Sequence, residues 1–85
     1  MAKYEVVLRK SVLKDLNGIP KKDVKRIMAT IGALAEDPRP PHALKLADQE
    51  RYRIRQGVYR IIYAIEDNRL IVCVVKVGHR RDVYR

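Results

Sequence analysis

Residues 51–65 read RYRIRQGVYRIIYAI, alternating basic and apolar side chains with a period of two on both sides of Gln56-Gly57. A pleated strand sends successive side chains to opposite faces, so this stretch commits the chain to a sheet hairpin. It predicts strands over 51–55 and 58–66, and a Gly-containing dipeptide between them suits a tight turn. The turn EDNR follows, and the apolar run beyond it predicts a last strand over 69–79. Strict alternation then places Tyr52, Ile54, Tyr59, Ile61, Tyr63, Ile71, Cys73, Val75 and Val77 on one face. The other face collects Arg53, Arg55, Arg60, Lys76 and Arg80 at one end, and Ile62, Ala64, Leu70, Val72 and Val74 along the rest.

What packs on the first face comes from the N-terminal half. Tyr4, Val6 and Leu8 alternate with Lys3, Glu5 and Arg9, as in a strand with one buried side. Ser11 is a candidate N-cap for a short helix through Leu16, with Gly18 as its stop. Pro20 suits the first turn of a second helix. There Val24, Ile27, Met28, Ile31, Leu34 and Ala35 fall at 3.6-residue spacing, opposite Lys21, Lys22, Lys25 and Arg26. The segment EDPRPPHALKLADQE carries three prolines and reads as a loop. The order is β-α-α-β-β-β. Two successive helices before a meander exclude an all-parallel sheet. The expected fold is α+β, with a helical hairpin packed on one face of a mainly antiparallel, twisted sheet.

Eighty-five residues make one domain, 1–85. No apolar run approaches the roughly 20 residues that span a bilayer, and the start MAKYEVVLRK has no hydrophobic core or cleavage site of a signal peptide. The single cysteine, Cys73, forms no internal disulfide, and a cytoplasmic location is expected. The net charge of +9 points to a polyanion or an acidic protein partner. Residues 1–42 hold six Lys and three Arg, whereas 43–85 hold two Lys and eight Arg. Arginine offers a planar fork matched to phosphate, so the second half looks specialised for anions.

The arginine end of the sheet therefore reads as a phosphate site, and the apolar strip beside it as a seat for a protein segment. His42 and His79 have no companions at metal-ligand spacing, Ser11 is the only serine, and no phosphate-binding glycine loop is present. Neither a metal nor another cofactor is expected. After Gly78 the tail HRRDVYR adds Arg80, Arg81, Tyr84 and Arg85. Arginines around a phosphate stabilise the charge of a pentavalent transition state. A tyrosine among cations becomes more acidic and can take a proton from a ribose 2′-hydroxyl.

YRIRQGVYRIIY followed by VVKVGHRRDVYR resembles the signature of the RelE/ParE toxin superfamily, in particular the RelE-type mRNA interferases of type II toxin–antitoxin systems. The resemblance covers essentially the whole chain. It implies a toxin that cleaves mRNA in the ribosomal A site without metal, leaves a cyclic phosphate, and is neutralised by a cognate antitoxin wrapped around it. By position it implies catalytic roles for Arg53, Arg55, Arg60, Arg80 and Tyr84. Lys45, Arg51, Lys76 and Arg81 are the neighbouring cations expected to hold RNA. Where relatives use a lysine at the Arg55 position as general acid, arginine is a poor substitute, because it hardly releases its proton. His79 has a suitable pKa, but alternation sends it to the opposite face unless the strand is bulged. Two other readings compete: a ParE-type gyrase poison on the same fold, and a non-catalytic RNA-binding module, which would expose aromatics for stacking. Only Tyr84 and Tyr4 look placed to stack.

Overall fold

The computed structural model describes residues 3–46 and 50–79. Its elements are β1 (Glu5–Leu8), α1 (Lys10–Asn17), α2 (Lys21–Ala33), β2 (Leu44–Lys45), β3 (Arg51–Gln56), β4 (Tyr59–Glu66) and β5 (Ile71–His79). The five strands form one sheet in the order β1-β5-β4-β3-β2. β1 runs parallel to β5, and the other neighbours are antiparallel. The α+β arrangement predicted from the sequence is the one observed, with one extra strand. β2 is only two residues long and lies inside the proline-rich segment read as a loop.

The core lies between the sheet and the helical hairpin. Val12, Ile27, Ile31 and Leu34 pack from the helical side against Ile54, Ile61, Tyr63, Val72, Val74 and Val77, all essentially without solvent exposure. Met28, placed on the core stripe by its spacing, is instead exposed. It follows Ile27 directly, so it sits about 100° round the helix from a fully buried residue, at the margin of the stripe. Ser11 does not cap α1. The cap position is Arg9, and the Ser11 hydroxyl turns to the Val75 carbonyl at 3.5 Å. Gly18 does end the helix, while Pro20 stands at the N-cap of α2 rather than within it. The β3–β4 turn is Gly57-Val58, one residue later than Gln56-Gly57, because Gln56 still pairs with Tyr59. Gly57 takes φ of 60° and Val58 does not go positive, as in a type II′ turn.

The main departure is in β5. Ile62 pairs with Lys76, yet the next residue, Tyr63, pairs with Val74, so Val75 is a bulge. One inserted residue reverses the alternation. Val72 and Val74 therefore face the helices, not Ile71, Cys73 and Val75. Val75 joins Ile62, with Cys73 and Leu46, in a second small cluster on the other face. The apolar strip expected to lie open is thus partly closed over itself: Ile62 and Val75 are buried.

β1 pairs with β5 only as far as Leu8–Val74. Beyond that point α1 runs along the vacant edge of β5. Arg9 N–H donates to the Val74 carbonyl at 3.1 Å, and Val77 N–H donates to Asp15 Oδ2 at 3.2 Å. A helix thus satisfies backbone groups that a strand would otherwise pair.

Candidate anion-binding face

The side of the sheet away from the helices carries the arginines in rows set by register. Arg55 lies opposite Arg60, which lies opposite Gly78. In the next row Leu44, Arg53, Ile62 and Lys76 follow one another across four strands. Arg51, Ala64, Cys73 and Val7 form the third row. Arg53, Arg55, Arg60 and Lys76 therefore share one end of one face, as alternation predicts. Arg55 is exposed, Arg53 and Lys76 are half-buried, and the Nε of the half-buried Arg60 is itself buried. Like charges directly opposite on neighbouring strands destabilise a sheet, so the Arg55–Arg60 pair is placed at a cost to the fold. The cross-strand partner of Arg60 on β5 is Gly78, which brings no side chain of its own.

Other candidates fall elsewhere. Lys45 pairs with Tyr52, which puts it on the opposite face from Arg53, and its Nζ lies 3.9 Å from Glu50. It does not join the arginine group. His79 pairs with Tyr59 on the helix-side face, with ring centroids 6.2 Å apart in an edge-on arrangement. β5 is bulged, but at Val75, upstream of both Lys76 and His79, so their opposition is untouched. Arg51 stays on the cationic face, one row away from the main group. Arg80, Arg81 and Tyr84 lie outside the described residues. Tyr4 is not free to stack on a base: its hydroxyl donates to Asp67 Oδ1 at 2.8 Å.

A network at the far end of the sheet has no signal in the local sequence. Arg39, in the proline-rich segment, forms a two-pronged pair with Asp67 at 3.1 and 2.9 Å. Its Nε donates to the Tyr52 hydroxyl at 3.1 Å, and its guanidinium lies 5.4 Å from that ring's centre. The Tyr63 hydroxyl donates to the Pro38 carbonyl at 2.7 Å. Hydrogen bonds from Arg39 and Tyr4 hold the Asp67 carboxyl below its usual pKa, and burial pushes the Tyr63 phenol up to about 12. These contacts fix the segment that leads into β2, and with it the edge of the cationic face. Among the described residues, no group of three His, Cys, Asp or Glu side chains is placed to hold a metal ion.

A helical hairpin backing a mainly antiparallel sheet, with cations set in rows on the sheet's other face, defines a small α+β protein. The description "ParE toxin of type II toxin-antitoxin system, parDE" matches residues 6–84, and the chain belongs to the RelE/ParE toxin superfamily. It is 31% identical to Toxin RelG of Mycobacterium tuberculosis over 88 residues, covering 96% of this chain and 97% of that one. The toxin of the archaeal RelE-RelB complex from Pyrococcus horikoshii superposes with a TM-score of 0.83 at 28% identity, over 95% of this chain and 99% of that one. The toxin–antitoxin complex RelBE2 of M. tuberculosis gives 0.79 at 26%, over 96% and 97%.

Proposed function

We propose that this toxin is a ribosome-dependent endoribonuclease that cuts mRNA in the A site by attack of a ribose 2′-hydroxyl on the adjacent phosphate. The observation that carries the reading is the cross-strand Arg55–Arg60 pair with Arg53 and Lys76 beside it. Four cations on three rigid strands cradle one phosphate and stabilise the charge that grows on it during attack. In this reading Tyr84 takes the 2′-hydroxyl proton, and Arg80 and Arg81 complete the cationic wall. Arg55 acts as a charge stabiliser. His79, on the other face, is poorly placed to protonate the leaving oxygen. Without a matched acid and base, the chain relies on the ribosome to orient the substrate.

The partner is a cognate antitoxin, as in the RelE-RelB complex from P. horikoshii. A groove of about 410 Å³ beside the helical hairpin has Leu16, Ile19 and Val24 in its lining, with Lys21 and Lys25 at its rim. That combination suits an acidic amphipathic segment.

Toeprinting on translating ribosomes tests the enzymatic reading. Wild-type protein should cut mRNA within the A-site codon, and naked RNA should be cut poorly. Tyr84→Phe keeps the ring and should slow single-turnover cleavage by on the order of 10²–10⁴-fold, the scale of a general base. A near wild-type rate for Tyr84→Phe would remove the tyrosine from the mechanism. The match to the ParE description keeps a second reading, a gyrase poison, in view. Intact mRNA together with an induced DNA-damage response would select it.

A further inference from the structure

Where α1 replaces β1 along the edge of β5, a crevice of about 400 Å³ opens between the helix end and the strand end. Asp15 and Gly18 line it from the helical side, and Tyr59, Lys76, Gly78 and His79 from the sheet. Lys76 and Gly78 belong to the cationic rows, whereas Tyr59 and His79 belong to the opposite face. The crevice therefore leads from the phosphate site around the strand edge. Its chemistry changes along the way, from cations to an aromatic pair and a carboxylate.

The carboxylate is the informative group. Asp15 is half-buried, and one of its oxygens is fixed by the Val77 N–H at 3.2 Å. A carboxylate accepts about four hydrogen bonds, and among the described residues this is the one bond the structure gives it. A negative charge next to a phosphate site weakens phosphate binding. It favours a ligand that presents N–H donors. Single-stranded RNA supplies both kinds of group in sequence, a phosphate and then a splayed base, read on its edge and stacked on Tyr or His.

We propose that this crevice reads one nucleobase next to the scissile phosphate, with Asp15 accepting from its Watson–Crick edge and Tyr59 and His79 forming the aromatic wall. Guanine fits best, because its adjacent N1–H and N2–H groups match the two oxygens of a carboxylate. Uracil, with one such donor between two carbonyls, fits worst. The inference rests on the nuclease reading for its consequence in cleavage, but binding tests it independently.

The probes are trinucleotides blocked at every 2′-hydroxyl by methylation and differing only in one base, titrated into the full-length protein and followed by ¹H–¹⁵N NMR. The guanine trinucleotide should shift the amides of Asp15, Gly18, Val77 and His79, and should bind at least several-fold more tightly than the uracil one. Asp15→Asn retains an oxygen for Val77 N–H while one acceptor becomes a donor. It should remove that preference, bringing the guanine and uracil trinucleotides to similar affinity, as expected when the one two-pronged base contact is lost. Unchanged base preference in Asp15→Asn, or shifts confined to the arginine rows, would overturn the proposal. If the wild-type protein cuts no mRNA yet shows the guanine-dependent shifts, the crevice stands and the nuclease reading fails.

Discussion

Arg55 and Arg60 are cross-strand partners, and this placement makes the choice of arginine testable. A guanidinium grips two phosphate oxygens through a planar fork, whereas an ammonium acts as a point charge. Arg60→Lys should therefore keep most of the salt-dependent ribosome affinity but lose roughly 10²–10³-fold in single-turnover cleavage, as expected for a transition-state donor. Equal rates for wild type and Arg60→Lys would mean that charge alone suffices. This much was legible from the sequence, because alternation assigns Arg53, Arg55 and Arg60 to a face without knowledge of any partner. Lys45 was not, because its strand is two residues long and shows no period. The Arg39–Asp67 pair was not either, since nothing local to Arg39 names a partner 28 residues away. That network adds a pH dependence to stability. Asp67 has a depressed pKa in the fold, so its contribution is present above the ordinary carboxylate range and is lost as pH falls through the folded value. Tyr63 is raised, so its contribution is complete below about pH 10 and is lost as pH climbs towards about 12. Thermal melts across pH should show Asp67→Asn with a flatter acid limb and Tyr63→Phe with a flatter alkaline limb. Tyr63→Phe should also cost about 1–2 kcal/mol at neutral pH, because the buried Pro38 carbonyl loses its donor.

Among the elements, β5 decides how the two faces are composed. Its apolar run LIVCVVKV has no polar residue before Lys76 to mark where the phase slips, so the bulge is invisible to pattern reading. The structural effect is large. Val72 and Val74 stay in the core while Lys76 reaches the arginine face. With Val75 in strict alternation rather than in a bulge, one of those two requirements fails. Deleting Val75 should therefore remove the bulge and leave Lys76 and Val77 on the faces they now occupy. What is lost is the Val75 side chain from the cluster with Ile62, about 1–3 kcal/mol on the scale of a truncated buried aliphatic, read as a cooperative melt at lower Tm. Replacing Val75 with Ala trims the second cluster but keeps the count of residues. It should leave a cooperative melt at somewhat lower temperature. If the deletion loses its cooperative transition altogether, the register on either side of position 75 is wrong. The helices were easier to read, because their apolar spacing and the Gly18 stop act locally. The cap at Arg9 was harder, since Ser11 was drawn away by a carbonyl 64 residues distant.

At the level of the whole molecule, charge and exposed apolar surface fall on different sides. Cations crowd one end of the open sheet face, while Leu13 and Met28 remain exposed on the helices. The two surfaces lie on opposite sides of the sheet, so a protein partner on the helices need not occlude the phosphate site directly. The topology also has a bearing on synthesis. The first strand has only one neighbour, and that neighbour is the last: Glu5 pairs with Ile71 and Leu8 with Val74, parallel to one another. Contacts of such sequence separation form late, since a long loop must close before they contribute. While a ribosome is still making this chain, β1 has nothing to pair with and β4 lacks its central neighbour. The cationic rows lack Lys76 and Gly78 until the last strand has emerged. The complete sheet is thus withheld from the nascent chain by the order in which its own strands become available.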